Sequence, residues 1–266
     1  MSYENIPKDP TEQTVLTADY FIEAANRSIT GTEDVFQTGR NLSISSTAYE
    51  TLWDQGGNYT YLTVATQLYV SSSSASDTDQ TIRVCGLDGS YNILEIEVTL
   101  NGQTQVAIPA GIFLRVREVE ALEGSPLVGE VYVAESDTLT AGVPNTASKI
   151  KSKIALVPSE TGDFASNHVS HNGFFTVPAD SDVFIIAMPP TVPKNEDVKV
   201  QFWVRGVGRN WANLFGVWTY SGVSPVSILS HTRIAEKKDV EIRVLSGNPA
   251  GQAEVNLQLI FRTRVT

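Results

Sequence analysis

Apolar and polar residues alternate with a period of two along most of the chain from about Asn41 onward. In the segment 94–100, Leu, Ile, Val and Leu occupy every second position, and Glu or Thr fills the positions between them. The segments VKVQFWVRG, DVEIRVLSG and EVNLQLIFRTRV repeat this spacing. Since successive side chains of a β-strand point to opposite faces, the spacing predicts antiparallel strands with one buried face and one hydrated face.

Turn-forming residues separate these segments at intervals of roughly 8–12 residues, as in β-sandwiches and jelly rolls. Asn101-Gly102 predicts a type I′ turn, with residues 103–108 returning as the partner strand of a hairpin. Pro109-Ala110-Gly111 predicts the next turn. The chain is therefore expected to be all-β and to form two antiparallel β-sandwich or jelly-roll domains with an N-terminal arm.

The composition changes along the chain and indicates where the domains begin and end. We expect an N-terminal arm or short helix at 1–36, a first sandwich at 37–140, a linker with one strand at 141–172 and a second sandwich at 173–266. Within the first of these, TADYFIEAANRS has helical spacing, and an extended arm lying on a neighbouring chain is the alternative. In the last, DVFIIAM is apolar on both faces, which is typical of a central strand or an interface strand.

The charge and composition of the chain argue against several classes of partner. The 266 residues carry a net charge of −11, and an acidic chain repels phosphates, so no nucleic-acid partner is expected. No apolar run approaches the roughly 20 residues that span a bilayer, so no membrane partner is expected. The single cysteine excludes an intrachain disulfide. The polar N-terminus lacks the pattern of a signal peptide, which predicts synthesis in a cytoplasm.

Residue types that carry chemistry are scattered along the sequence. His168-x-x-His171 has the spacing of two metal ligands, but it falls in an expected loop without a Cys or a carboxylate pair to complete a site. His231 is distant from it in the sequence, and no serine lies in a G-x-S-x-G motif. We therefore expect no catalytic residues, no cofactor and no metal.

Four further polar residues are expected to have structural roles. Asp77, Asp79 and Asp88 lie in or near turns, and their spacing is not that of an EF-hand, so they are interpreted as turn carboxylates. Cys85 alternates with Ile82 and Val84 and is expected to point outward as an unreactive thiol.

An aromatic cluster is the most distinctive local feature. Trp211, Phe215, Trp218 and Tyr220 fall within ten positions, with Trp203 upstream. Flat rings of this kind stack on sugars in carbohydrate-binding modules, and they also fill cores and subunit interfaces. The apolar neighbours Leu214 and Val217 favour packing, so we expect Trp218 to be buried.

The stretch YVSSSSASDTDQTIRVCGLDGSYNILEIEVTLNGQT resembles a family of tailed-phage virion proteins that are common among marine and cyanobacterial phages. The resemblance rests on a Ser/Ala/Asp-rich loop at 71–78, a strand ending in Gly86-Leu87-Asp88 and an acidic strand ending in Leu100-Asn101-Gly102. Trp53-Asp54-x-Gly56-Gly57 and Thr176-Val177-Pro178-Ala179 also fit. The resemblance extends from about Thr51 to the C-terminus, and the Ser/Asp loop is shorter here than in many members.

The resemblance implies a non-enzymatic structural component of the virion, assembled in the host cytoplasm. The expected type is a capsid decoration (cement) or head-knob protein that forms a homotrimer and binds the major capsid protein or other virion proteins. Its expected interface residues are Tyr20, Phe21 and Ile22 of the arm, together with Trp211, Phe215, Trp218 and Tyr220. The alternative is a tail-associated or receptor- and glycan-binding module that uses the aromatic cluster. A major shell protein and an enzyme are less favoured, because neither a long helix nor a catalytic motif is visible.

Overall fold

The computed structural model describes residues 32–156, 168–187, 189–223, 233–248 and 251–263. In chain order its strands are β1 (Thr32–Ile44), β2 (Glu50–Thr51), β3 (Thr66–Ser72), β4 (Thr81–Leu87), β5 (Ile93–Thr99), β6 (Val106–Phe113), β7 (Arg115–Glu123), β8 (Val131–Ala134), β9 (Leu139–Thr140), β10 (Val143–Pro144), β11 (Ile150–Ile154), β12 (Phe174–Thr176), β13 (Ser181–Ala187), β14 (Pro190–Arg205), β15 (Ala212–Val223), β16 (Arg233–Ala235), β17 (Asp239–Ser246) and β18 (Gly251–Thr263). A 3₁₀ helix at Ala147–Lys149 precedes β11. The pairings between these strands are antiparallel, and the all-β fold class is confirmed.

The larger sheet contains nine of the described strands, in the order β12-β17-β14-β18-β13-β16, with β1 beside β18, β15 beside β14 and β2 beside β17. The long β14 belongs to two parts of this sheet. Its first residues, Pro190 and Thr191, pair with β18, whereas residues 198–205 pair with β17. Side chains from both parts meet in one core, so the sheet folds around its own apolar face.

The predicted alternation is confirmed in the strands at the centre of this sheet. Alternate apolar residues of β14 and β17 are buried, and the residues between them point to the other face. The fully buried residues of this pair are Val198, Val200, Phe202, Val240, Ile242 and Val244.

A second core lies between two smaller sheets. The four-stranded sheet has the order β11-β8-β3-β6, and the three-stranded sheet has the order β5-β4-β7. In β5, Glu95 and Glu97 are exposed while Val98 is buried, as the alternation predicts. Together with Leu100, Val98 packs in a core that also receives Ile108 from β6 of the opposite sheet.

The hairpin predicted across Asn101-Gly102 is wrong. β5 pairs with β4, and the chain then crosses to β6, which pairs with β3 of the other sheet. Gly102 has a φ of 57°, but Asn101 is not among the residues with positive φ, so the type I′ geometry is not adopted. The Gly102 N–H instead donates to the Asp77 carbonyl at 2.6 Å, and its carbonyl accepts from the Ser72 N–H at 3.0 Å. These bonds fix the turn to a neighbouring loop, and the crossing places β5 and β6 on opposite sides of one core.

The turn predicted at Pro109-Ala110-Gly111 is also wrong, because β6 continues through it. Ala110 has a φ of 48°, and the pairing of β6 with β3 shifts register between Gln67 and Tyr69. A positive φ at a register shift is typical of a β-bulge, so β6 bulges at Ala110 instead of ending in a turn. The proline is accommodated because β6 is the end strand in the order of its sheet.

The division of the chain into domains stays a prediction, and two pairings bear on its boundaries. β1 pairs along its length with β18, so residues assigned by sequence to the first sandwich, from 37 to 44, lie in the larger sheet. β11, inside the expected linker, pairs with β8 of the four-stranded sheet. Alternation identifies a strand but not its partner, which is why the sequence does not locate these pairings. The remainder of the expected arm, residues 1–31, lies outside the described residues.

A third apolar cluster joins the two cores. Its largest members are Trp53, Tyr59 and Phe174, and Tyr132 of β8 belongs to it as well. The Tyr59 and Phe174 rings stack with centroids 3.9 Å apart. The backbone beside Phe174 is tightly packed: a Cβ atom at Gly39 would lie 2.5 Å from the Gly173 Cα. The nine-stranded sheet is one sheet system, and the four- and three-stranded sheets together are the other. Their described parts are in direct contact at this third cluster.

Candidate functional site

An open cleft of about 710 Å³ is formed by residues from both sheet systems. Its lining comes from the 58–63 loop, the start of β7, the end of β14 with the loop that follows, and the first half of β17. The volume is in the range of small-molecule sites, roughly 300–1,000 Å³. Four arginines and two carboxylates line it, so the lining carries more positive than negative charge although the whole chain is acidic.

The register of β14 against β17 explains why these charges come together. Arg205 lies opposite Asp239, and Trp203 lies opposite Glu241. Each of these residues alternates with a core residue, so all four share the outer face of the sheet. Arg243 continues the same face two residues beyond Glu241. The apolar half of this pattern predicts the core face, and the i, i+2 spacing of Asp239, Glu241 and Arg243 is the signal in the sequence that corresponds to the cleft face.

Asp239 is the centre of the ionic contacts in the cleft. It accepts hydrogen bonds from Arg115 Nε and Nη2 at 2.8 and 3.1 Å and from Arg205 Nη2 at 2.6 Å. The Thr176 hydroxyl donates to it at 2.7 Å. Burial alone would raise the pKa of the Asp239 carboxyl, but the bonds and charge of Arg115, with those of Thr176 and Arg205, outweigh burial and lower that pKa. The carboxylate therefore remains charged and holds both guanidinium groups in place.

Guanidinium groups and aromatic rings alternate along the wall of the cleft. The Arg205 Cζ lies 4.5 Å from the ring centroid of Tyr61 and 4.4 Å from that of Trp211. The Arg243 Cζ lies 5.0 Å from the Trp211 ring and 4.8 Å from the Trp203 ring. These distances are those of cation–π contacts. Trp211 is thus in contact with two guanidinium groups.

The hydroxyl of Tyr61 is buried and makes no hydrogen bond among the described residues. Burial raises the pKa of this phenol well above its ordinary value, and the nearby Glu241 and Asp239 raise it further. Tyr61 therefore keeps its proton at neutral pH. Buried polar groups in native proteins are usually paired, so an orphaned donor in the lining of a cleft requires an explanation.

The predicted aromatic cluster does not form one surface. Trp211 lines the cleft, whereas Phe215 faces the core and stacks on Phe202 with centroids 5.3 Å apart. Trp218 lies opposite Lys199 on the outer face and is 41% exposed. The expected burial of Trp218 in the single chain is therefore wrong, because its position in β15 has the opposite parity to that of Phe215. Tyr220 lies in β15 and its side chain is outside the described part, as are residues 20–22.

The two described histidines do not act as a pair. His168 is exposed, whereas His171 Nδ1 lies 3.2 Å from Asp54 Oδ2, and Arg40 contacts the same carboxylate at 2.8 Å. His231 lies outside the described residues. In the part of the chain that the structure describes, no group of three or more His, Cys, Asp or Glu side chains is arranged to hold a metal ion.

The three aspartates predicted to stabilise turns do bind loop N–H groups. Asp77 accepts hydrogen bonds from the Val128 and Gly129 N–H groups, both at 2.9 Å. Asp88 accepts from the N–H groups of Ser90 and Asn92 at 2.7 and 2.9 Å. Asp79 accepts from the Ser125 N–H at 3.2 Å and from the Ser125 hydroxyl at 3.0 Å. The turn interpretation of these carboxylates is confirmed.

Cys85 is buried and does not point outward as predicted. β4 is the middle strand of its sheet, and both of its faces are covered at this position. Burial raises the pKa of the Cys85 thiol to about 11, and the charge of Glu95 acts in the same direction. The thiol therefore stays protonated at neutral pH, which agrees with the predicted low reactivity.

Comparisons with known proteins leave the family open. No family model matches the chain, and no curated protein matches it. The chain is weakly similar to the crystal structure of the infectious bursal disease virus VP2 subviral particle, with 11% identity, a TM-score of 0.20, and coverage of 91% of this chain and 78% of that one. A structure of the infectious bursal disease virus Gt strain gives 9% identity, a TM-score of 0.18 and coverage of 92% and 83%. Both structures come from the same virus, and TM-scores this low do not establish a shared fold.

The described residues contain no helix with the length and apolar character needed to cross a bilayer.

Proposed function

We propose that the chain is a non-enzymatic virion structural protein of the capsid decoration, cement or head-knob type. In this role it binds the capsid shell, stabilises the particle and associates with copies of itself as a trimer. The sequence resemblance to tailed-phage virion proteins supports the class of function. The observation that carries the proposal is an apolar row on an open strand edge.

That row lies on β15, which pairs only with β14 among the described strands. Leu214 is 44% exposed and Trp218 is 41% exposed, and the exposed Gly216 lies between them. Exposed apolar side chains on a strand at the edge of a sheet promote association with another chain. A protein that functions by assembly has a use for such an edge, whereas a solitary enzyme or carrier would be at risk of aggregation.

The arm contributes a second proposed contact. Residues 1–31 precede β1, and they include Tyr20, Phe21 and Ile22. We expect a chain that lacks residues 1–31 to keep its sheets, because β1 is retained, and to lose incorporation into particles. Normal incorporation of the truncated chain would contradict a docking role for the arm.

Mass spectrometry of particles purified from the encoding phage tests the proposal directly. A decoration protein should be present in copy numbers comparable to those of the major capsid protein. Absence from the particle would refute a virion role, and only a few copies per particle would favour the tail-associated alternative.

A matched pair of variants tests the edge. Leu214→Ser combined with Trp218→Ser should abolish trimers in light scattering while leaving the melting temperature nearly unchanged. Val64→Ser, which changes another exposed apolar residue away from β15, is the control and should leave the trimer intact. A wild-type chain that stays monomeric at micromolar concentration would overturn the self-association.

The alternative of a glycan-binding module that uses the whole aromatic cluster has less support. A stacking platform needs several rings on one accessible face, and Trp211, Phe215 and Trp218 lie in three different environments. The cleft around Trp211 is the part of that cluster with ligand-binding geometry.

A further inference from the structure

We infer that the cleft beside Trp211 binds a small anionic saccharide, a sugar that carries a carboxylate or sulfate group. This inference is independent of the proposed virion role. It rests on three features of the lining: guanidinium groups with donors to spare, an orphaned phenol, and polar loop residues at the mouth.

The arginines differ in how far their donors are used. Arg115 uses most of its donors, because Nε and Nη2 bind Asp239 and Nη1 donates to the carbonyls of Leu62 and Leu114 at 2.8 Å. Arg205 binds Asp239 through Nε and Nη2. Within the described part of the chain, Arg243 makes one side-chain hydrogen bond, from Nε to Glu241 at 3.0 Å. The planar guanidinium fork binds carboxylates and sulfates with several parallel bonds, so the remaining donors favour an anion.

Arg209 and Tyr61 add donors to the lining of the cleft. Arg209 lies in the exposed loop after β14 and has no carboxylate partner among the described residues. The Tyr61 hydroxyl is the orphaned donor described above. A ligand oxygen that accepts from this phenol would account for a buried group that is otherwise unsatisfied.

The shape and charge of the cleft favour a short saccharide over a long polyanion. A volume of about 710 Å³ holds a short oligosaccharide, and Asn58, Thr60 and Thr63 at the mouth can exchange hydrogen bonds with hydroxyl groups. The net charge of −11 on the chain opposes the approach of a long polyphosphate. Since the Trp211 ring already contacts Arg205 and Arg243, neutral sugars would find little free ring surface.

Isothermal titration of the full chain at fixed ionic strength tests the inference. The probes are a sialic-acid trisaccharide, a sulfated heparin tetrasaccharide, neutral maltotetraose, hexaglutamate and sodium sulfate alone. We expect saturable binding of at least one anionic saccharide and none of maltotetraose. Failure of both anionic saccharides to bind, or equal affinity for hexaglutamate or free sulfate, would overturn the assignment.

Three variants locate the binding. Arg209→Ala should weaken binding about tenfold, the loss expected for one charge-assisted hydrogen bond. Tyr61→Phe should weaken it several-fold without lowering the melting temperature, because the deleted hydroxyl has no hydrogen-bond partner among the described residues. Arg83→Ala removes the same charge outside the cleft and should leave affinity within about twofold. An Arg83→Ala loss as large as that of Arg209→Ala, or full binding by both cleft variants, would refute the site.

Discussion

The two faces of the β14–β17 strand pair follow one rule of alternation and have opposite chemistry. On the inner face, Phe202 and Ile242 lie in a fully buried apolar core. On the outer face, Arg205 and Asp239 form a partly buried ion pair at the wall of a cleft. Residues of the inner face can be replaced by other apolar residues of similar volume at a modest cost in stability, because such residues still pack and exclude water. The outer face depends on individual partners, because each buried charge requires a specific counter-charge.

The largest expected effect is on the inner face. Phe202→Ala deletes a fully buried ring that stacks on Phe215, so the variant should lose about 3–5 kcal/mol of unfolding free energy through lost burial and the cavity left behind. The melting temperature should fall by roughly 6 °C or more. Binding in the cleft should change little in whatever fraction stays folded. A loss below about 1 kcal/mol would show that the inner face is not the main core.

The outer face should be almost as sensitive at one residue. Asp239→Ala removes the carboxylate that holds Arg115 and Arg205 and leaves a buried guanidinium unpaired. We expect a loss of about 3 kcal/mol in chemical denaturation. Glu97→Ala, which removes an exposed carboxylate from β5, is the control and should change stability by less than about 0.5 kcal/mol. Equally small losses of unfolding free energy in both variants would show that the outer face behaves as an ordinary solvated surface.

Acid should weaken the contribution of the outer face to stability, because that face carries the titratable Asp239 while the inner face is apolar. The pKa of Asp239 is lowered in the folded chain, so its contribution is fully present above the unfolded pKa of about 3.9 and is lost as the pH falls through the lower folded value. The stability difference between wild type and Asp239→Asn should therefore be constant near neutrality and should shrink below about pH 4. Melting curves from pH 7 to pH 3 measure it. A difference that grows in acid would contradict the sign of the shift.

The smallest effect on folding is expected at the exposed end of the outer face. Trp218 is 41% exposed in the single chain, so Trp218→Ala should change unfolding free energy by about 0.5 kcal/mol or less in a dilute monomer. At higher concentration the same variant should associate more weakly if β15 is an assembly edge. A large loss of monomer stability would mean that Trp218 packs more tightly than its exposure indicates.

Sequence reasoning was most successful where only local chemistry matters. The alternation in 94–100, 198–204 and 240–244 directly predicts strands. Asp88-Gly89 predicts a turn, and the Asp88 carboxylate accepts hydrogen bonds from N–H groups no more than four positions away. Sequence reasoning failed at Asn101-Gly102, where the chain crosses between sheets instead of forming a hairpin. A turn dipeptide specifies a local bend, and the choice of the next partner strand depends on which core the following residues fill.

The sequence by itself determined the all-β class, the inner faces of the main strands and the absence of an intrachain disulfide, because these depend on periodicity and on residue counts. Only the tertiary structure decided that Arg115 of one sheet system meets Asp239 of the other, 124 positions away. It also decided that Trp211 lies in a cleft while Trp218 lies on an open edge. Strand register and the packing of the two cores create these neighbours, and long-range pairing of this kind leaves no periodic trace in the chain.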